Sequence, residues 1–413
     1  MKASNLYEQI YKYIERTPVI STHEHHLNDE DHQNITLEAI IDKSYVGWQN
    51  IPVGTTSQEH TQFLEKARYN SYFVWLQKAI DKLYDIGGKI TPENWEVISN
   101  KIKRKHKDPA AHLAILKNQC RYIRALSDIY WETGSDLGHP ELFSPVVRSD
   151  MFVKCYHPLV RDHDDNSPWE FLPVRGLTFR EYMDLILGFH RDRVDKGAVS
   201  FKLATAYERP LSVGSVAYER AARIYMTDPK DITDEDMLAY GDYIINRICE
   251  LAAELDVPYQ IHTGLGELKG SNPMLFESTI TRHPETRFVL FHGGYPWYHE
   301  IGALAHNHDN VFIDMVWLPI ICTQAAVQAL DEYIEVIPTA DRITWGSDTW
   351  TSEEALGALL AFQHTLTQVL TKKVNEEYID IDDAQIFVEK VLFRNAKNIY
   401  TLELPGNDGC LNG

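Results

Sequence analysis

Cysteine is scarce in this 413-residue chain, and what there is comes unpaired. The five residues Cys120, Cys155, Cys249, Cys322 and Cys410 are scattered, odd in number and form no CxxC pair. That spacing argues against a disulfide framework and against a cysteine-based zinc site, so the thiols read as reduced and mostly buried. Positive charge is also in deficit: 40 Lys and Arg stand against 60 Asp and Glu, a formal net charge of -20. Phosphate polymers and anionic membranes need a basic surface, so neither is expected as a partner, and an anionic substrate would have to meet a local basic pocket. No apolar run reaches the length that spans a bilayer. Residues 1–16 place Leu6, Ile10, Tyr13 and Ile14 at helical spacing among charges, with no long apolar core ending in small residues, which reads as a surface helix and not a signal peptide. The expectation is a soluble, cytoplasmic protein that takes a small molecule and forms no membrane or nucleic-acid complex; a homo-oligomer is left open. Repeats and low-complexity segments are missing too.

What is present suits a large globular fold: 44% hydrophobic and 24% charged residues, enough for a sizeable core. The stretch that organises the rest is Pro18-Val-Ile-Ser-Thr-His-Glu-His25. In an extended strand side chains alternate faces, so His23 and His25 project to the same side and can share one cation. Residues 27–118 then carry little strand signal and read as a helical insertion, with helices at 72–84 and after Pro92, and with Gly87-Gly88 as a break. Strand-like segments recur at 120–126, 145–153, 198–204, 258–262, 288–292, 311–316 and 343–345. Helical stretches at 240–255, 274–281 and 325–336 alternate with the later ones. With the first strand the count is eight, which predicts an α/β protein built as one (β/α)8 TIM barrel over residues 1–413. Its chemistry would sit at the C-terminal strand ends. Residues 353–401 read as helical, and 402–413 as a short polar tail containing Gly406 and Gly409.

Reading only strand ends yields His23 and His25 on the first, Lys202 on the fourth, His262 on the fifth, His292 on the sixth and Asp348 on the eighth. Imidazole and carboxylate donors with a coordination position left open are what a catalytic divalent metal such as zinc requires. Arg148 on the third strand and Tyr207 with Arg209 after the fourth could grip an anion, since guanidinium forks suit carboxylates, or could form structural pairs. Tyr295, Trp297 and Trp350 lie just past ligand-bearing strands, where they could wall a pocket or pack over the barrel rim. His26, His106, His112, His157, His163, His190, His299, His306 and His308 lack such placement and read as surface or packing residues. His26 is the close case, because it adjoins the first-strand pair.

These residues resemble those of the amidohydrolase superfamily, in the branch that holds uronate isomerases, amidohydrolase-2 type decarboxylases and the amidohydrolase domain fused to glutamine-synthetase-like proteins. The similarity spans nearly the whole chain. It is closest to the fused domain from Gln260-Ile-His-Thr-Gly-Leu-Gly through Leu290-Phe-His-Gly-Gly-Tyr-Pro-Trp to Gly346-Ser-Asp, while Tyr84-Asp-Ile-Gly and Asn94-Trp95 in the insertion resemble the uronate isomerases. The resemblance implies that His23, His25, His262 and Asp348 are metal ligands, with Asp348 also the base that activates water. It implies for His292 either a second metal or an oxyanion donor. For Lys202 it leaves a carbamylated bridge between two metals, a substrate-carboxylate contact or a structural salt bridge. The metal implied is zinc, with manganese or iron as alternatives. The activity implied is hydrolysis of a C–N bond, such as a γ-glutamyl amide, in a small carboxylate-bearing substrate. Isomerisation of a uronic acid or non-oxidative decarboxylation is the alternative, and a non-catalytic scaffold on a decayed barrel the remaining one.

Overall fold

The computed structural model describes residues 2–404, with side chains from residue 5 onward. The polar tail with Gly406 and Gly409, and Cys410, lie outside the described residues. Eight strands run β1 Val19–Glu24, β2 Tyr122–Ser127, β3 Phe143–Arg148, β4 Ser200–Leu203, β5 Tyr259–Ile261, β6 Phe288–Leu290, β7 Val311–Asp314 and β8 Ile343–Thr344. They form one sheet in sequence order with successive strands parallel, from the β1–β2 register Val19 to Tyr122 round to Asp314 against Thr344. Backbone hydrogen bonds from Thr22 to Trp345, from Asp348 to His23 and from His25 to Thr349 carry the end of β8 back onto β1. The (β/α)8 barrel follows. Strands buried on both faces need apolar residues at successive positions, which explains runs such as Val19-Ile20, Val146-Val147 and Phe288-Val289-Leu290, all buried.

Parallel neighbours need crossovers, and helices supply them. Phe179–Asp195 and Asp234–Glu254 each begin with a capping box, at Thr178 with Glu181 and at Thr233 with Asp236, which satisfies orphan amides of the first turn. Between β1 and β2 the chain forms six helices, among them Asp29–His32, Ser71–Tyr84, Trp95–Lys105 and Ala111–Asn118. The long helix Ser352–Asn375 after β8 packs against both Ser71–Tyr84 and the N-terminal helix Lys2–Arg16, so the β1–β2 connection is anchored on the barrel's last helix. No helix among the described residues is long and apolar enough to cross a membrane.

Two sequence expectations need correction. The strand expected over 145–153 ends at Arg148, and Asp150–Lys154 is a short helix. The run Met151-Phe152-Val153 is buried either way, and a short apolar run does not distinguish strand from buried helix by periodicity. The expected helix over 274–281 divides into a 3-10 turn at Pro273–Phe276 and a helix at Glu277–Arg282. Cys120, Cys155 and Cys249 are buried and Cys322 is half-buried, all four as free thiols.

Candidate metal centre and cavity

β1 delivers His23 and, just beyond its end, His25. Asp348 arrives from the other side of the barrel seam. Its approach depends on Gly346, where a Cβ would sit 2.7 Å from the His23 backbone nitrogen. Asp348 itself takes φ 63°, the left-handed region, as does His292 at φ 64°. Non-glycine residues adopt it at some cost and persist there when surrounding contacts over-determine the backbone.

The hydrogen bonds of the two rings leave one nitrogen of each for the centre. His23 Nδ1 lies 3.2 Å from Gln260 Oε1, and the Gln260 amide is itself fixed by donating to Thr22 O and Tyr400 Oη, both at 3.0 Å. Gln260 Oε1 is thus an acceptor, His23 carries its proton on Nδ1, and the Nε2 lone pair faces the centre. Likewise His25 Nδ1 donates to Asp128 O at 2.7 Å, and its Nε2 lies 3.1 Å from Asp348 Oδ1. His23 Nε2 is 3.6 Å from the same carboxylate oxygen. Donor atoms of His23, His25 and Asp348 all fall within 4.8 Å of one another, and all three side chains are buried. Two imidazole nitrogens, each held from behind, and a carboxylate oxygen suit a divalent cation of the zinc type.

Electrostatics agree with that fit. Burial, helped by the Lys202 charge, pushes His23 well below its ordinary value and keeps it neutral. Burial alone would raise Asp348, but its close contact with His25 and the neighbouring His23 and His292 outweigh it and hold the carboxyl well below the usual range.

His262 is placed differently. Its Nε2 lies 2.5 Å from Leu265 O and its Nδ1 2.9 Å from His292 Nε2, so both nitrogens are engaged within the protein and it stands outside the three-residue donor cluster. Leu265 O accepts from His262 Nε2 and Val316 O accepts from His292 Nδ1 at 3.2 Å, so the two rings face each other through His262 Nδ1 and His292 Nε2. His292 Nδ1 then sits 3.8 Å from Asp348 Oδ2, and burial pushes this imidazole down to about 3. Lys202 is fully buried with Nζ 3.4 Å from His23 Nε2 and 3.7 Å above the Phe291 ring. Burial brings it down to about 8, although Asp128 and Asp348 pull the other way.

The centre floors a cavity of about 360 Å³ lined by His25, Lys202, Tyr207, His262, His292 and Asp348, with Arg148 and the aromatics Tyr45, Trp48, Tyr130 and Trp350 around them. Trp350 stacks on the His25 ring at 5.2 Å. Arg148 reaches the cavity, but its guanidinium is shared between Asp128, at 2.8 Å from Nη2, and Asp164, at 2.5 Å from Nη1. Arg209, Tyr295 and Trp297 are not brought to the cavity. Arg209 is buried in an ion pair with Asp242 and donates to Ser212 O at 3.1 Å, and the two aromatics are half-buried and do not line the cavity.

Strand-end reading missed Asp128, one residue past β2, because the expected strand stopped at Leu126; extending it two residues would have exposed a carboxylate in the ring. His163, read as surface or packing, lines the cavity beside Asp164. Tyr45 and Trp48 come from the β1–β2 connection, and no local signal in the chain marks them.

A parallel eight-stranded barrel whose strand ends gather two histidines and an aspartate under a small cavity offers donors that could hold a divalent metal. The chain belongs to the amidohydrolase family, whose model matches residues 188–402. Protein fluG of Emericella nidulans is 27% identical over 226 residues, which are 50% of this chain and 26% of that protein. The chain thus spans about a quarter of the length of that curated relative. Among solved structures, the fold is similar to glucuronate isomerase from Caulobacter crescentus, with a TM-score of 0.74 at 13% identity over 98% of this chain and 95% of that one. It is similar also to uronate isomerase from Thermotoga maritima, with a TM-score of 0.71 at 16% identity over 96% and 97%.

Proposed function

We propose that the protein is a metal-dependent hydrolase that cleaves the C–N bond of a small amide carrying a carboxylate. The convergence of His23, His25 and Asp348 at the cavity floor carries the reading. A divalent cation held by these three, zinc first and manganese or iron as alternatives, would supply a nucleophilic water and polarise the scissile carbonyl. The protein's own groups account for the rest. Asp348, ionised at neutral pH, accepts a proton through Oδ2, the oxygen turned from His25 and toward His292. Lys202 places a cation beside the reacting group to receive the substrate's carboxylate, and the phenol of Tyr207 can donate a hydrogen bond to it. His262 and His292 form a fixed imidazole pair on the opposite wall of the cavity and shape it. Tyr45, Trp48 and Trp350 narrow the mouth and exclude bulk water, which strengthens these interactions. Arg148, committed to two carboxylates, acts through Asp128 on the position of His25 more than as a free anion grip.

A second reading is uronic acid isomerisation, favoured by the likeness in fold to two uronate isomerases over almost the entire chain. The two separate cleanly. Zinc-loaded protein is incubated with a panel of γ-glutamyl and N-acyl amino acids and with glucuronate and galacturonate. Release of amine with solvent oxygen entering the new carboxylate supports the hydrolase. Ketose formation without solvent oxygen in a carboxylate supports the isomerase and overturns the hydrolase.

A further inference from the structure

The cavity has two unlike ends. Its floor holds Asp348 and Lys202, whereas its rim carries Tyr45, Trp48, Tyr130 and Trp350. Trp48 sits in the short 3-10 turn Gly47–Gln49 of the β1–β2 connection, and Trp350 follows β8. Three of these rings make a corner and not a stack. Centroids lie 5.0 Å apart for Tyr45 and Trp48, 5.0 Å for Tyr45 and Trp350 and 5.2 Å for Trp48 and Trp350, with planes inclined by 70°, 67° and 49°. Two of the three are held from behind, Tyr45 stacked on Trp317 at 4.6 Å and Trp350 on His25 at 5.2 Å. The third, Trp48, is open: 51% exposed, against 2% for Tyr45 and 6% for Trp350.

We propose that this corner binds a flat, neutral aromatic ring on the amine half of the substrate, so that the amide cleaved is an arylamide. The assignment rests on the hydrolase reading above, in which Lys202 at the floor receives the carboxylate and the amine half points to the mouth. Ring faces are negative and ring edges positive, so aromatic pairs favour inclined or offset contacts with centroids about 4.5–7 Å apart. A fourth ring entering the corner can meet one wall by its face and another by its edge. Charge supports a neutral group there. Beyond Lys202 and Asp348, the residues with charge-bearing side chains that line the cavity above the imidazoles of the floor are Arg148, His163 and Asp164. Asp164 lies 2.5 Å from Arg148 Nη1 and 3.4 Å from His163 Nε2, and Arg148 is also committed to Asp128. With these groups paired among themselves, the rim offers rings to a ligand, and neither a free carboxylate for an ammonium nor a free cation for a second acid. The fixed Tyr45 and Trp350 walls need no ordering when a ligand arrives, which favours binding, and covering Trp48 removes apolar surface from water. A cavity of about 360 Å³ lies near the lower end of the roughly 300–1,000 Å³ of ligand pockets, which suits one ring on a short acid and not a long chain.

The test compares two amides that differ only in the amine, glutaric acid monoanilide and glutaric acid monocyclohexylamide, whose rings are alike in bulk but of which only the first is flat. Zinc-loaded protein is used, and the preference is read as a ratio of Kd by calorimetry for amides that are not turned over and of kcat/KM for those that are. The anilide is expected to be favoured roughly ten-fold, the gain of one or two ring–ring contacts beyond the buried area. Trp48→Ala and Trp48→Leu, both checked for fold by circular dichroism, are expected to bring the ratio within about two-fold. No binding of the anilide, or equal preference for the two amides in wild type, overturns the proposal whether or not the variants fold. A preference that survives in both folded variants overturns it too, as does tighter binding of the corresponding amide bearing a trimethylammonium group, which would make the corner a cation cage. An anilide preference that is lost in the variants, without hydrolysis of any amide, supports the ring site and counts against the hydrolase; hydrolysis of both amides at equal kcat/KM does the reverse.

Discussion

His25 and His26 are neighbours in the chain, yet they enter two clusters of opposite character. The front cluster mixes imidazoles with Asp348, Asp128 and Lys202 under an open cavity, and its charges are balanced in pairs. The rear cluster, His26 with His32 and His112, is imidazole alone at its centre, closed and neutral, with Asp29 at its edge. The two glutamates that open the helix Ser352–Asn375 repeat the contrast. Glu353 accepts from His106 at 2.7 Å and from Tyr84 at 2.5 Å, and although burial opposes it, these donors bring it down to about 2. Glu354 accepts only backbone N–H groups, from Tyr45 at 2.8 Å and Trp350 at 3.4 Å, and burial pushes it up to about 8. Adjacency in sequence therefore says little about environment; the partners supplied by other elements decide ionisation.

The front cluster is the place to break first. Replacing His23 and His25 together by alanine should reduce turnover to background while circular dichroism still reports a folded barrel, because the strands beneath pack through apolar residues. Asp348→Asn keeps the shape and one oxygen donor but removes the charge and the base. A loss in kcat on the order of a hundred-fold or more is expected, with metal content retained, as kcat and zinc measured on the same sample would show. Arg148→Ala strands Asp128 as a buried carboxylate without its main cation, so unfolding by urea should show a loss of roughly 3–5 kcal/mol, the range for breaking a buried pair.

Smaller effects sharpen the contrast between the glutamates. The folded value of Glu354, about 8, lies above its ordinary 4.5, so the folded state binds the extra proton. That contribution is present in full below 4.5 and is lost as pH rises through 8. Wild-type Tm should accordingly fall between pH 5 and 9 by more than that of Glu354→Gln, and equal slopes would show that Glu354 ionises without penalty. The smallest change is expected for Arg209→Ala. Since Arg209 lies outside the cavity, KM should stay within about two-fold of wild type even if Tm drops. A KM raised ten-fold would return Arg209 to the substrate.

The barrel was legible because strands buried on both faces must be continuously apolar, and such runs alternate with helical periodicity along this chain. The donor triad was legible in part for the same reason. A barrel gathers strand ends, so His23, His25 and Asp348 could be paired across most of the chain's length without knowing any contact. His262 shows where that reasoning stops: it occupies the right strand end, but its ring is turned to Leu265 and His292, a choice set by side-chain partners. Arg148 shows the same limit, since a strand-end arginine reads as a substrate grip until two carboxylates from separate loops are found on it.

By itself, then, the sequence determined the architecture and the residue types offered at its catalytic end, because hydrophobic period and strand-end position are local properties of the chain. Only the tertiary structure decided which nitrogen of each histidine faces a common centre, which cations are already neutralised, and that residues 26, 32 and 112 meet at all. Those outcomes depend on hydrogen-bond partners and burial contributed by distant elements, and no window of the sequence contains them.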